Sequence, residues 1–392
     1  MKYLRSALVY CAPFVMIGGL APAQEFGAVG TISLDDVSTK SLSVNNMSLQ
    51  NRTFFCGGKA QAGTPISALA DTSGTVTISA IPVTAKVLKA TLFWTVLVDD
   101  QNSSIGQNIY FEGIGVAGSK IGTASESPCF PQPESIAYKA DVTHSVVSPG
   151  NGAYRVSGFP VGGGSGSPFV EGVTLQVLWS DANGALMEDV LYHTNEGGTL
   201  AVTQGDHFSQ EMSFKTNASG PVSGTLFEVI GNGQIAPENL RFDGPADDEI
   251  NLDDTLDGST VAFAAGTCPN SPVAAPQCFW DDDIWDVSAQ LTNGATSATL
   301  SSGGGSDCLT WPALNLMVST DEERVCEEGG EYVDAVCPEE GEYRNHGQYV
   351  SCVAHAAEVF LAGLPWEGSC PRDEIQSCIV NPRARSDVGK KQ

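Results

Sequence analysis

Alternation of apolar and polar residues, from Gly27 to about Ser319, constrains the fold of this chain more than any other feature. Clusters of Gly, Asn, Asp, Ser and Pro separate the alternating runs, as expected for antiparallel strands joined by turns. The pattern predicts an all-β fold of β-sandwich or jelly-roll type, in which each sheet has one face in the core. The clearest runs are 75–80, 90–98, 173–179 and 285–291.

A faint internal repeat runs through this region. Both Asn-Gly pairs in it precede an alternating run and predict tight hairpin turns. Five echoes in the same order at nearly constant spacing favour a tandem duplication, with one β domain over 24–185 and a second over 186–320. The echoes are 91–93 with 225–227, 108–113 with 239–244, 129–130 with 278–279, 141–143 with 286–288, and 151–152 with 293–294.

The composition changes after Ser319. Residues 321–342 are acidic and predict a solvated connector. Residues 343–392 predict a small helical module, in which Asn345 caps one amphipathic helix that ends at Pro365. Cysteines beyond this helix can tie the chain back against it, and the residues after Asn381 resemble a frayed tail.

Residues 1–23 have the layout of a secretory signal peptide. Lys2 and Arg5 precede an apolar run from Ala7 to Leu20, and Ala21-Pro22-Ala23 suits cleavage after Ala23. The apolar run is short for a membrane span, which needs roughly 20 residues. We therefore expect an exported protein, secreted or held at the bacterial cell surface, with no transmembrane span.

Cysteine usage agrees with export. Cys11 lies in the signal, which leaves ten cysteines for up to five disulfides whose pairing stays open. No C-x2-C pair is present, which disfavours a zinc site. The ten are Cys56, Cys129, Cys268, Cys278, Cys308, Cys326, Cys337, Cys352, Cys370 and Cys378.

The charge balance limits the partners. Lys2 and Arg5 leave with the signal, so 17 of the 19 basic side chains remain against 46 acidic ones. Such a surface repels nucleic acid and anionic membranes. We expect extracellular glycans, surface proteins or further copies of this chain as partners.

No catalytic motif is present. The five histidines include no H-E-x-x-H pair, and no G-x-S-x-G elbow lies between a strand and a helix. His346 and His355 are interpreted as surface or capping residues. A pair of carboxylates across a cleft stays open, although the sequence nominates no pair among so many acids. We predict no catalytic residue.

Two acidic runs are candidate calcium sites, because oxygen ligands clustered on a turn suit Ca²⁺. One run holds Asp281, Asp282, Asp283 and Asp286. The other contains Asp253 and Asp257, which resemble the start of an EF-hand but lack its closing glutamate. Calcium is the one cofactor predicted, and solvated surface acids are the alternative.

Two tryptophans are candidates for glycan contact. Trp280 lies beside the acids and Trp366 follows the predicted helix, so either could be exposed. Trp94, Trp179 and Trp285 fall on inward rows of alternating runs and are predicted to lie in the core.

Several segments resemble a family of secreted bacterial and archaeal surface proteins known only as a domain of unknown function. These are 90–94, 138–143, 150–154 and 171–177. The segment 345–355, NHGQYVSCVAH, is similar to a C-terminal module of exported bacterial proteins. The resemblance implies a surface role and a β-sandwich domain, and it supplies no catalytic residues.

The leading hypothesis is a non-catalytic extracellular protein that binds a glycan or another surface component, or that has a structural or adhesive role. The alternative is a secreted polysaccharide hydrolase or lyase with carboxylates in a cleft between the two β domains. A third hypothesis is an assembly subunit whose sheet edges pair with neighbouring subunits.

Overall fold

The fold is described from a computed structural model, which covers most of the chain after residue 46. The described residues are 47–66, 73–100, 102–125, 133–146, 150–160, 162, 167–193, 201–202, 208–231, 239–246, 250–252, 280–303, 309–364 and 370–389. None of the helices in these ranges is long and apolar enough to cross a bilayer.

The chain is mostly β-sheet, with three helices at its C-terminal end. The strands are β1 Ser48–Pro65, β2 Ser73–Ile78, β3 Lys86–Val98, β4 Asn108–Phe111, β5 Ile114–Ala117, β6 Ser119–Ser125, β7 Glu134–Asp141, β8 Gly152–Ser157, β9 Phe169–Ser180, β10 Leu186–His193, β11 Ala201–Val202, β12 Phe208–Ser213, β13 Gly224–Gly231, β14 Asn239–Asp243, β15 Ile250–Asn251, β16 Trp280–Asp281, β17 Ile284–Asp286, β18 Ser297–Gly303 and β19 Leu309–Ser319. The helices are α1 Glu322–Val336, α2 His346–Ala362 and α3 Arg372–Ala384. The predicted predominance of β-structure is confirmed.

The strands form one large sheet and two small ones. The large sheet has the order β16-β13-β19-β10-β1-β9-β3-β7-β6, with β11 also paired to β19 and β17 to β13. The small sheets have the orders β2-β8-β4-β5 and β12-β18-β14-β15. Every strand pair described is antiparallel, as the alternating pattern predicted.

Strand β1 divides the large sheet into two halves. Its first part, up to Cys56, pairs with β10, and its second part, from Gly57, pairs with β9. The chain itself passes between the halves at the turn 181–185, where Asp181 N–H donates to the Cys56 carbonyl and Gly57 N–H donates to the Ala185 carbonyl. We call the part with β9, β3, β7 and β6 the first half, and the part with β10, β19, β13, β16 and β17 the second half.

Glycine is required where β1 changes partner. A Cβ on Gly57 would lie 1.9 Å from the Trp179 carbonyl oxygen, and a Cβ on Gly58 would lie 2.5 Å from the Trp179 ring. Gly184 approaches from the other side, with 2.6 Å between a Cβ built on it and the Gly57 nitrogen. The close contact of the two backbones therefore excludes side chains at this crossing.

The apolar side chains form separate clusters. One lies between the first half and the sheet β2-β8-β4-β5, and contains Trp94, Phe111 and Val156. A second lies between the second half and the sheet β12-β18-β14-β15. Two smaller clusters join the halves to each other: one includes Phe93 with Trp280, and the other includes Leu178 with Phe227. The two halves of the large sheet therefore pack face to face.

Four of the five sequence echoes occupy equivalent places in the two halves. The pairs lie in β3 and β13, in β4 and β14, at the ends of β7 and β17, and just before β8 and β18. One backbone hydrogen bond also repeats. Val142 N–H donates to the Ala90 carbonyl oxygen in the first half, and Val287 N–H donates to the Gly224 carbonyl oxygen in the second. The echo of 129–130 with 278–279 lies outside the described residues.

Two local predictions were wrong. The Asn-Gly pairs do not close hairpins, because β7 pairs with β3 and β6 whereas β8 pairs with β2 and β4. These turns instead carry the chain from the large sheet to a small one. The run 285–291 is not one strand either, because β17 ends at Asp286 and a 3₁₀ turn over Ser288–Gln290 follows.

The acidic segment 321–342 is a helix over most of its length, and not the predicted connector. The Asp321 side chain caps α1 by accepting from Arg324 N–H, and Glu322 and Glu323 lie in its first turn, where carboxylates are favourable. Val325, Gly329 and Val333 are buried against the other helices. The tail after Asn381 is also partly helical, since α3 continues to Ala384.

The predicted cap at Asn345 is confirmed. Its side-chain oxygen accepts from Gln348 N–H at 3.0 Å, and α2 begins at the next residue. His346 is half-buried there, with its Nδ1 2.8 Å from the Val388 carbonyl oxygen and its Nε2 3.0 Å from that of Ala384. The histidine thus fastens the end of α3 to the start of α2.

Disulfides hold the three helices together and to the sheet. Cys326 pairs with Cys378 and joins α1 to α3, and Cys337 pairs with Cys352 and joins the end of α1 to α2. Cys370 pairs with Cys56 in β1. Four further cysteines, Cys129, Cys268, Cys278 and Cys308, lie outside the described residues.

Candidate functional site

A buried ion pair lies between the two halves of the large sheet. The Lys59 Nζ of β1 is 2.6 Å from the Asp189 Oδ1 of β10, and the two side chains are only 4% and 7% exposed. Burial lowers the pKa of Lys59, although Asp189 raises it in part by charge and by hydrogen bonding. The Phe227 ring of β13 lies under the same ammonium group, with its centroid 5.5 Å away.

Asn315 faces the same space from β19. This strand lies between β10 and β13, and Asn315 is the register partner of Leu191 on one side and of Phe227 on the other. Asn315 is fully buried, and neither atom of its amide has a hydrogen-bond partner among the described residues. Such a group is rare in a folded protein and calls for a physical explanation.

Amide side chains link the halves beside this ion pair. Gln61 of β1 donates from Nε2 to the Glu228 carbonyl oxygen at 2.8 Å and to the Asp282 carbonyl oxygen at 2.7 Å. Gln176 of β9 donates from its own Nε2 to Gln61 Oε1 at 2.7 Å. The two Gln61 bonds cross from the first half to the second and fix their relative position, and Gln176 orients Gln61 from the neighbouring strand.

Buried carboxyl groups also lie in this interface. Glu171 and Asp282 are fully buried, and Glu171 Oε2 accepts a hydrogen bond from the Thr95 hydroxyl. Burial raises the pKa of Glu228 well above its usual range, Asp283 adds to the rise, and the Trp285 indole opposes it only in part. Burial therefore favours the protonated form of Glu228 relative to a carboxyl in water.

The first predicted calcium site does not come together. Asp281 and Asp282 are buried, Asp283 is half-buried, and Asp286 is exposed and accepts from Ser288 N–H at 3.0 Å. Within the described ranges, no group of three acidic, histidine or cysteine side chains is arranged to hold a metal ion. Asp253 and Asp257 lie outside those ranges.

Trp280 presents no surface to a ligand in solution. It is fully buried between the two halves, and its indole N–H donates to the Thr174 hydroxyl at 2.8 Å. Trp366 lies outside the described residues. Of the tryptophans predicted to lie in the core, Trp94 is fully buried, and Trp179 and Trp285 are partly buried against the two main clusters.

Apolar exposure is found elsewhere, on the hairpin formed by β4 and β5. Tyr110 is 52% exposed and Ile114 is 48% exposed, whereas Phe111 between them is fully buried. Strand β5 is the outer strand of its sheet. This hairpin therefore combines exposed apolar side chains with a sheet edge, a combination suited to contact with another macromolecule.

Two open grooves lie at the helices. One, of about 480 Å³, runs beside the Cys56–Cys370 disulfide and is bordered by Asp321, Glu322 and Glu323. The other, of about 350 Å³, lies between α1 and α3 and is bordered by Glu327, Glu331, Asp334 and Arg383. Both are acidic.

A cluster of charges fastens α1 to the sheet. Glu188 of β10 is fully buried, with Arg52 Nε at 3.0 Å from one carboxyl oxygen and Lys215 N–H donating to the other at 3.0 Å. Arg52 and Arg324 also bind Glu328 of α1, at 2.7 and 2.5 Å. Burial raises the pKa of Glu188 to about 7, although both arginines lower it.

Lys59, Asp189 and Asn315 were not predicted from the sequence. Only Asn315 carries a local signal, because it is a polar residue inside the mostly apolar run LTWPALNLMV. Such a run indicates a strand buried on both faces, but it does not say which strand lies opposite.

The comparisons with known proteins add no relative: no protein-family model matches the chain, and no curated protein is significantly similar to it. The resemblance to secreted surface proteins therefore stays a prediction.

Proposed function

We propose that this protein is a non-catalytic component of an extracellular surface, with a structural or adhesive role, that contacts a glycan or a surface protein. The observation that carries this proposal is the filled interface between the two halves of the large sheet. Apolar clusters and cross-interface hydrogen bonds occupy the place where two β domains of an enzyme would leave a cleft.

We infer that the chain consists of two β-sandwiches with a boundary near residue 185, packed through their larger sheets. Each half of the large sheet shares a hydrophobic cluster with one small sheet. The repeated bonds at Val142 and Val287 support a tandem duplication as the origin of this arrangement. In this arrangement each half of the large sheet buries, against the other half, the face that a single sandwich would expose to solvent.

The covalent links suit a surface role. Disulfides cross-link the three helices and attach them to β1 through Cys56 and Cys370. Cross-links of this kind persist in an oxidising compartment and oppose unfolding and proteolysis. Together with the predicted signal peptide, they favour export.

The alternative, a polysaccharide hydrolase or lyase, needs two carboxylates that a substrate can reach. Glu171 and Asp282 lie in the right region, between the two halves, but both are fully buried. No sugar ring could reach them without separation of the halves. The non-catalytic reading is therefore the better supported.

Two assays on the purified mature protein test the proposal. Incubation with a panel of neutral and acidic polysaccharides should release no reducing ends and form no unsaturated uronates. Sedimentation with cell-envelope fractions of the source organism should retain the protein at the surface. Turnover that disappears in Glu171→Gln or Asp282→Asn, with folding unchanged, would establish the enzyme instead.

A further inference from the structure

We propose that Lys59 and Asn315 become joined by an intramolecular isopeptide bond, with Asp189 as the group that moves the protons. This inference goes beyond the proposed function and does not depend on what the protein binds. It assigns a covalent cross-link between β1 and β19, and hence between the two halves of the large sheet.

The registers place the three side chains together. Lys59 Nζ lies 2.6 Å from Asp189 on β10 and 5.5 Å from the centre of the Phe227 ring on β13. Strand β19 runs between β10 and β13, and its residue opposite Phe227 is Asn315. The Lys59 ammonium group is thus close to side chains of both β10 and β13. It therefore lies over β19, the strand between them, beside Asn315.

The side chain of Asn315 faces this space and not the opposite side of the sheet. Ala313 and Met317, two residues away on either side, belong to the clusters that join the halves, and side chains at that spacing share a face. An amide buried here with no partner among the described residues is costly as a purely structural feature. A reaction that consumes the amide nitrogen explains why it is tolerated.

The surroundings activate the amine. Leu178, Met187, Phe227 and Met317 form an apolar cluster at this point of the interface. Burial there lowers the pKa of Lys59, so the neutral, nucleophilic amine is more accessible than in water. The folded chain also holds amine and amide together, which replaces a bimolecular encounter by an intramolecular step.

The reaction balances without another reactant. The Lys59 ammonium gives a proton to the Asp189 carboxylate, and the neutral amine then attacks the Asn315 Cγ. The protonated Asp189 supports the charge that develops on the amide oxygen and gives its proton to the departing nitrogen, and its carboxylate then takes the second proton from Lys59 Nζ. One C–N bond forms to Lys59 Nζ, one breaks to Asn315 Nδ2, ammonia leaves, and nothing is oxidised or reduced.

Peptide mapping of the folded wild-type protein tests the proposal directly. After reduction, alkylation and digestion, tandem mass spectrometry should find a branched peptide that contains Lys59 and Asn315, lighter than its two parts by one ammonia. Intact mass alone is not sufficient, because Gln24 at a mature N-terminus, or an Asn-Gly pair, also loses ammonia on cyclisation. Two separate, unmodified peptides would overturn the proposal.

Variants then assign the roles. Lys59→Arg and Asn315→Ala should abolish the branched peptide, and Asp189→Asn should leave most of the protein unlinked. Lys139→Arg is the matched control, since Lys139 is another interface lysine, 2.6 Å from His193 Nε2, and its loss should leave the cross-link intact. A branched peptide that joins Lys59 to Asp189, lighter by one water, would overturn the assignment to Asn315.

Discussion

Cys56 and Cys370 form a disulfide that joins the crossing point of β1 to the start of α3, across 314 residues of sequence. The helices therefore attach to the sheet at the place where its two halves meet. Phe54 and Leu186 pack against the same helices and add an apolar contact at this joint.

Removal of this disulfide should release the helices from the sheet before the rest of the protein unfolds. We expect Cys56→Ala with Cys370→Ala to cost about 2–5 kcal/mol, because the link closes a long loop in the unfolded chain. Thermal unfolding measures the loss of stability, and limited proteolysis detects the release of the helices. Early cleavage of the variant should occur between β19 and α1. The control, Cys337→Ala with Cys352→Ala, opens a loop of 15 residues within the helices and should leave their attachment to β1 in place. An unchanged cleavage pattern in the first variant would contradict this account of the joint.

Gly57→Ala should destabilise the whole β region. The new methyl group would overlap the Trp179 carbonyl oxygen, and the backbone on both sides is paired, so we expect a loss of at least about 2 kcal/mol in the free energy of unfolding. Denaturant unfolding provides the measurement. Gly115→Ala is the matched control, because nothing lies within 4 Å of a Cβ there, and its effect should stay within about 0.5 kcal/mol. Equal stabilities for the two variants would show that the crossing is not tightly packed.

The raised pKa of Glu188 predicts a dependence of stability on pH. Its pKa is about 7 in the folded protein against an ordinary value of 4.5, so the stabilisation from the protonated carboxyl is complete below pH 4.5 and is lost as the pH rises through about 7. The glutamine side chain in Glu188→Gln stays neutral. The free energy of unfolding of this variant relative to the wild type should therefore rise by about 3 kcal/mol between about pH 5 and about pH 8. Denaturant unfolding of both proteins at the two pH values measures this gain.

The control for the Glu188 prediction is Glu327→Gln, since the Glu327 side chain is 42% exposed. The free energy of unfolding of that variant should equal that of the wild type at both pH values. If Glu188→Gln instead loses stability relative to the wild type as the pH rises, the ionised carboxylate between Arg52 and Arg324 is the stabilising form.

The exposed hairpin of β4 and β5 is the surface that we expect to make contact with a partner. Tyr110→Ser with Ile114→Ser should reduce retention on envelope fractions, since burial of their apolar area contributes about 25 cal/mol per Å² to association. The unfolding temperature should change little. Val83→Ser is the control, because Val83 is 87% exposed and lies outside this hairpin. An equal loss of retention in the control would remove the hairpin as a specific surface.

The sequence predicted the elements whose signals are local. Alternation over 90–98 predicted the inward row that contains Trp94, and Asn345 predicted the start of α2. Both signals depend on neighbouring residues alone. The helix α1 was missed since two of its buried positions are glycines, which carry no apolar side chain to reveal the periodicity. Its many acids, all compatible with a helix surface, suggested a connector instead.

The buried interface could not be predicted from the sequence, because its contacts join distant segments. Lys59 and Asp189 are 130 residues apart, and nothing near either residue in the sequence points to the other. The acids beside Trp280 suggested that its side chain could be exposed, whereas Asp281 and Asp282 are buried with it. Only the folding of one half of the sheet against the other brings these groups together.

We expect the protein to be exported and its cysteines to be cross-linked in its native source. Protein isolated from its source should be denatured without reductant, treated with iodoacetamide, and analysed by peptide mass spectrometry. We predict a chain that begins at Gln24, with no label on Cys56, Cys326, Cys337, Cys352, Cys370 or Cys378. Full labelling of these cysteines in a chain that still carries residues 1–23 would contradict it.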